Sequence, residues 1–271
     1  VHATTTLPTG WTDMDFGGPG AAGSASVDAK GVWTIMGSGG DIEGTADHFN
    51  FAYQTVTGDA TITAHFVSMV PGDLTYTKVG PMIRAITADD VTNGDAQNVT
   101  MDMTTAVGVR IQGRDDAFAN TQDNIPPVLS LSQPQPVWLG LERIGKNVAG
   151  FYSLDGKVWY WGGGTLTLSM LTDQALIGLA VTAHQDGTLA TGVFDNVNIQ
   201  QGAQLVYGLE SCPAGNGVMV SWQPLPGADS YNVYRAPASE TDLSKFTKLN
   251  TTTVSGTSFS DAGTGLVNNQ Q

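Results

Sequence analysis

The sequence predicts an all-β protein. Apolar residues recur at every second position through most of the chain, Gly or Asp-Gly falls between the runs, and no helix fits the stretch from Trp138 to Ile199. Two turns in that stretch, Leu154-Asp155-Gly156-Lys157 and Gln185-Asp186-Gly187-Thr188, carry an Asp-Gly pair suited to the positive φ of a type I′ hairpin.

Taken from the N-terminus, residues 1–6 read as an extension ahead of the first strand. Alternation in His48-Phe49-Asn50-Phe51-Ala52-Tyr53-Gln54 separates Phe49, Phe51 and Tyr53 from His48, Asn50 and Gln54. The aromatic set is expected in the core and the polar set outside. In Gly108–Arg114 the same logic puts Val109 and Ile111 inside and Arg110, Gln112 and Arg114 outside. Met82 shares a side with Arg84, and Thr182 shares one with His184.

Several motifs occur in a recognisable order: Gly20–Ser26, Gly37-Ser38-Gly39-Gly40-Asp41-Ile42, Phe49–Gln54, Lys78–Arg84, Trp138 with Leu141 and Arg143, Tyr152-Ser153, Asp155-Gly156, Gly178–Thr182 and Phe194-Asp195-Asn196-Val197. Together they resemble a bacterial branch of the concanavalin A-like lectin/glucanase superfamily, often labelled "regulation of enolase protein 1-like", over nearly all of residues 10–200. The resemblance implies a jelly-roll sandwich over residues 7–201, of the kind that serves as an accessory module in exported proteins. It also implies a curved sheet whose concave face binds glycans in relatives. Mapped onto that face, the ligand candidates are His48, Asn50, Arg84, Arg110, Gln112 and His184, because planar donors and acceptors suit sugar hydroxyls. Glu43 stands where the family commonly has Trp, which marks a changed ligand surface as readily as an active site. Trp161, beside Gly162-Gly163-Gly164, is the candidate stacking ring, whereas Trp11, Trp33, Trp138, Trp159 and Trp222 are read as packing.

A second unit begins near Leu205. Gly217–Trp222 and Ser230–Arg235 are similar to the B and C strands of a fibronectin type III domain, and Thr257–Asp261 is similar to strand E. Residues 205–271 are therefore expected to form an incomplete immunoglobulin-like sandwich, short of the roughly seven strands of the class. Two explanations stand: a fragment of a longer chain, or strands added by a neighbouring copy in a homo-oligomer.

Composition narrows the partners. Eleven Lys plus Arg stand against twenty-five Asp plus Glu, a net charge of −14. No basic patch interrupts it, so binding to nucleic acid is excluded, and no apolar run nears the length needed for membrane insertion. A secreted, extracellular or cell-surface protein is expected, beginning at Val1 after a processed signal. The lone Cys212 excludes a disulfide framework and is read as a small, partly buried residue at a strand start.

Catalytic signals are weak. Asp41 and Glu43 alternate as a retaining glycosidase pair would, but Gly40 and Gly44 flank them and the E-x-D-x-x-E strand of glucanases is lacking. Turn carboxylates are the stronger reading. No H-E-x-x-H, G-x-S-x-G or phosphate-loop motif occurs. Structural calcium is the one cofactor suggested, through Asp89, Asp90 and Asp95 with Asn93, or through Asp115, Asp116 and Asp123. The expected role is non-catalytic carbohydrate recognition for a larger polypeptide. Its rivals are a structural subunit of a surface layer or filament, and third a glycoside hydrolase.

Overall fold

In a computed structural model the protein is described for residues 7–87, 92–116, 120–122, 127–202, 205–215, 217–225, 227–237 and 245–263. The chain divides into two compact units, Val1–Leu205 and Val206–Gln271. Residues 1–6, expected as an extension, lie outside the described residues.

The first unit is an all-β jelly-roll sandwich of two seven-stranded antiparallel sheets. In chain order its strands are β1 (Thr12–Phe16), β2 (Ser24–Val27), β3 (Trp33–Gly37), β4 (Phe49–Thr57), β5 (Ala60–Val70), β6 (Lys78–Arg84), β7 (Asn98–Thr104), β8 (Gly108–Arg114), β9 (Leu129–Ser130), β10 (Val137–Ile144), β11 (Asn147–Ser153), β12 (Trp159–Thr167), β13 (Gln174–Thr182) and β14 (Ala190–Gln201). One sheet runs β1-β4-β13-β6-β7-β8-β9 and the other β12-β11-β10-β5-β14-β3-β2. Period-two alternation builds the core between them: Ile62, Ala64 and Phe66 of β5 and Leu139 and Leu141 of β10 meet Val109 and Ile111 of β8 and Ile177, Leu179 and Val181 of β13. Each such side chain contributes roughly 1.5–3 kcal/mol by leaving water.

One assignment of faces is reversed. Ala52 and Val56 of β4 point into the core between the sheets, while Phe49, Phe51 and Tyr53 point the other way. Those rings form a second apolar cluster with Phe16, Ile42, Met82, Leu176 and Ala180 on the outer face of the first sheet. Pairing explains the choice: Tyr53 lies opposite Gly178 and Phe51 opposite Ala180, so small residues of β13 leave room for rings on that face. Asn50 is thereby turned toward the inside edge, where it is buried and its Nδ2 donates to Asp15 Oδ1 at 3.1 Å. Asn50 is corrected from ligand candidate to edge packing.

The Asp-Gly turns also differ from expectation. Gly156 (φ +72°) and Gly187 (φ +77°) take positive φ but Asp155 and Asp186 do not, which rules out type I′ geometry. Asp155 instead caps the loop by accepting from the amides of Lys157 and Val158 at 2.8 and 2.9 Å.

The second unit holds β15 (Glu210–Ala214), β16 (Gly217–Ser221), β17 (Tyr234–Arg235), β18 (Thr247–Lys248) and β19 (Ser258–Asp261). They form a three-stranded sheet, β15-β16-β19, and a pair, β17-β18. Trp222 is buried, with its ring 5.2 Å from that of Tyr231 in an edge-on contact. Cys212 is exposed in the middle of edge strand β15, not partly buried at a strand start, because no further strand covers β15 among the described residues.

Candidate functional site

Strands β6, β7 and β8 present alternating polar residues on the outer face of the first sheet: Lys78 and Arg84; Asn98, Thr100 and Asp102; Arg110, Gln112 and Arg114. Exposed, these would be an ordinary wet sheet face. They are instead roofed by residues 38–48, a strap that leaves β3, crosses the face and enters β4. Gly39 (φ +126°) sits where a Cβ would fall 1.9 Å from the carbonyl oxygen of His48, so only glycine allows the strap to turn there.

Asp47 anchors the strap. Its Oδ2 accepts from Arg84 Nη1 at 2.7 Å, from Arg114 Nη1 at 2.9 Å and from Asn98 Nδ2 at 2.8 Å, and its Oδ1 accepts from Arg114 Nη2 at 2.6 Å. The Asp47, Arg84 and Arg114 side chains are all fully buried. Burial pulls the Arg84 pKa below its ordinary value while Asp47 acts against that, and the guanidinium lies 5.5 Å from the ring centres of both Phe16 and Phe49. Arg114 also donates to the carbonyls of Gly44, Gly94 and Ala96, which ties the strap to the loop before β7.

Nearer the other end of the strap the same face opens. Lys78 Nζ donates to Asp41 Oδ1 at 2.6 Å, Glu43 Oε2 at 3.1 Å and the carbonyl of Ile42 at 3.2 Å. Gln112 Nε2 donates to that carbonyl too. Asp102 stands opposite Arg110 across β7 and β8; its Oδ2 accepts from the Thr100 hydroxyl at 2.9 Å, and its buried Oδ1 has no partner. Burial raises the Asp102 pKa to about 6, with Lys78, the Thr100 hydroxyl and Arg110 pulling the other way.

At the rim, His184 (φ +56°) places Nε2 3.5 Å from Asp41 Oδ2 and Nδ1 3.3 Å from Asp73 Oδ1. The Tyr76 ring stands edge-on to it at 5.5 Å. Hydrogen bonds from the Thr75 side chain and from the Tyr76 and Thr75 amides hold Asp73 down to about 2. Tyr76, His184, Asp73 and Glu43 are each about a third exposed at their side chains or overall.

Of the residues chosen from sequence, Arg84, Arg110, Gln112, His184 and Glu43 thus share one face and its rim. Arg84 and Gln112 are corrected from exposed donors to fully buried ones, because the strap occupies the space above them. Arg110 is 9% exposed. His48 is half-buried at the strap's end, where its carbonyl accepts from the Thr182 hydroxyl. Trp161 is 41% exposed, as expected of a stacking ring, but it belongs to β12 at the edge of the other sheet and is separate from this set. Lys78, Asp102, Asp73 and Tyr76 were missed. The alternation of Asn98, Thr100 and Asp102 with Val99, Met101 and Met103 carried the signal for Asp102.

The calcium candidates fare unequally. Asp89, Asp90 and Asp123 lie outside the described residues. Asp95 is buried and supports the charge of Arg84. Among the described residues, no three His, Cys, Asp or Glu side chains are grouped to hold a metal ion.

No protein-family model and no curated protein matches the chain. Solved structures do. The glycoside hydrolase family 43 protein BlXynB of Bacillus licheniformis aligns at 13% identity over 70% of this chain and 37% of its own, with a TM-score of 0.49. The alginate lyase of Klebsiella pneumoniae aligns at 11% identity over 72% and 96%, TM-score 0.45. A seed lectin of Lotus tetragonolobus aligns at 7% identity over 73% and 96%, TM-score 0.40. The chain spans little more than a third of the hydrolase. At these identities the likenesses concern the fold alone.

Proposed function

We propose that the sandwich is a non-catalytic carbohydrate-recognition module, with its glycan held at the open end of the strapped face. The observation that carries this reading is the rim itself: the partly exposed Tyr76 ring and the Asp41 and Asp73 carboxylates all meet the imidazole of His184. Sugar hydroxyls both donate and accept, and a pyranose presents an apolar face to a ring such as Tyr76. The acidic composition fits export as part of a larger polypeptide. The second unit, with β19 beside β16 and Trp222 buried, fits part of a fibronectin-like sandwich open to strand addition.

Affinity electrophoresis against plant, fungal and bacterial polysaccharides tests the site. Asparagine tolerates the left-handed backbone at position 184 better than alanine does. His184→Asn is therefore expected to weaken retardation at least about tenfold, equivalent to 1.4 kcal/mol, with little change in Tm. Unaltered mobility of the wild type across the whole panel refutes the reading.

One observation favours a glycosidase instead: a carboxyl raised to about 6 that feels an ion-paired one, Asp41, is how such enzymes separate acid from base. Asp102 nevertheless lies 2% exposed below Lys78 and Arg110. No reducing ends are expected from β-glucans, xylans or galactans, and turnover lost in Asp102→Asn would establish the enzyme. Structural calcium belongs to the same reading of an exported protein. Millimolar calcium added to chelator-treated protein is expected to raise Tm, and an unmoved Tm removes the ion.

A further inference from the structure

The geometry points to a second carbohydrate site, at the edge of the sandwich, which shares no residue with the strapped face. A cleft of about 490 Å³ opens between Pro8, Trp11 and Gln54 of β4 on one side and Val27 of β2, Trp33 of β3 and Asn196–Ile199 of β14 on the other. Its volume falls in the range of small-ligand sites. Trp11 and Trp33 floor it, with ring centres 4.4 Å apart and planes inclined by 51°. Trp33 is buried and Trp11 half-buried, so Trp11 offers the accessible ring.

Polar groups ring this floor. Gln54, Asn196, Asn198 and Lys30 line the cleft, and the last three are exposed. The side-chain amides of Gln54 and Asn198 make no hydrogen bond among the described residues. Two local devices aim the others. The pairing of β14 with β5 slips between Asp195 and Asn198, and Asn196 is held at φ +50°. That left-handed conformation is unfavourable for an L-residue, least so for asparagine. The strain sets Asn196 and Asn198 on the cleft wall, and Asn196 Nδ2 is steadied on Asp195 Oδ1 at 2.8 Å. Lys30 sits in the turn between β2 and β3, which Asp28 closes by accepting from the amides of Lys30 and Val32 at 2.8 and 2.9 Å.

This chemistry selects a pyranose. A flat apolar ring packs against axial C–H groups, and amides that donate and accept match vicinal hydroxyls. Among the described residues no carboxylate lines the cleft, and the charged group that does is the Lys30 ammonium. An oligosaccharide, neutral or uronic, therefore fits it, while the acidic rim around Asp41, Glu43 and Asp73 repels uronates. The two sites are thus distinguishable by ligand charge.

Tryptophan fluorescence and titration calorimetry with xylohexaose, cellohexaose, mannohexaose and hexagalacturonate test the cleft on the whole chain. Asn196→Gly keeps the backbone conformation, and Asn198→Ala removes an exposed amide, so the double variant is expected to keep the wild-type Tm. It should bind at least tenfold more weakly and lose the fluorescence change, whereas His184→Asn should leave that change intact. Trp11→Phe provides a second check by removing the reporting indole while keeping a ring. Binding that vanishes in His184→Asn but is untouched by the double variant overturns this inference and spares the rim. Binding lost only in the double variant upholds the cleft and overturns the rim. No saturable binding of any of the four overturns both.

Discussion

Replacement of Asp47 by asparagine is expected to destabilise the first unit by about 3–5 kcal/mol, the cost of breaking a buried ion pair on one side only. Asparagine keeps the shape and one acceptor oxygen, so the variant isolates charge. Two guanidiniums, Arg84 and Arg114, then remain fully buried with their shared carboxylate gone. Single domains have about 5–15 kcal/mol in total, so the loss spans from about a fifth of the stability to all of it. Urea denaturation followed by tryptophan fluorescence reads it directly. A loss below about 1 kcal/mol would mean that the two guanidiniums meet water in solution and that the strap is open.

Replacement of Asp102 by asparagine is expected to act in the opposite direction. The folded state raises this carboxyl from 3.8 to about 6, so between those values the native protein binds more protons than the unfolded chain. The contribution of Asp102 to stability therefore falls as pH rises through that window and stays unfavourable above it. At 1.36 kcal/mol per pH unit, Asp102→Asn gains about 3 kcal/mol at pH 7.5 and nothing at pH 3.5. The Thr100 hydroxyl keeps an acceptor in the variant. Melting curves at the two pH values check the sign, and an equal effect at both would remove ionisation as the cause. A variant that is more stable at neutral pH yet binds glycan poorly would show what the buried charge is kept for.

The fold was legible because alternation is local: Val109 and Ile111 of β8, and Ile177, Leu179 and Val181 of β13, declare two-sided strands residue by residue. Alternation assigns partners to a face but not a face to the core. In β4 both sets are buried, since rings on one side meet Ile42 of the strap and Ala52 on the other meets the second sheet. No property of residues 48–54 alone distinguishes those burials. The site was legible to the same depth. Arg84, Arg110 and Gln112 were grouped on one face because spacing within strands groups them. The strap that covers them is a long-range event, in which Asp47 finds Arg114 67 positions away, and its glycine-rich sequence reads as an ordinary turn. Asn50 was misplaced for a related reason: the face of a strand that meets the core is decided by its neighbours.

The strand order has a consequence for how the chain is made. In one sheet β13 alone joins β1-β4 to β6-β7-β8-β9, and in the other β14 alone joins β3-β2 to the remaining strands. Both keystones are the last two strands of the unit to leave the ribosome. Until residue 182 has emerged the first sheet exists only as two separate halves with raw edges, and the second does so until residue 201. At about 5–20 residues per second, synthesis of that length takes on the order of 10–40 s. Through that interval β4, β6, β5 and β3 each keep one edge without its native partner, and the ion pairs of Asp47 with β6 and β8 cannot yet draw on a completed sheet. Closure of both sheets therefore waits on the C-terminal strands of the unit.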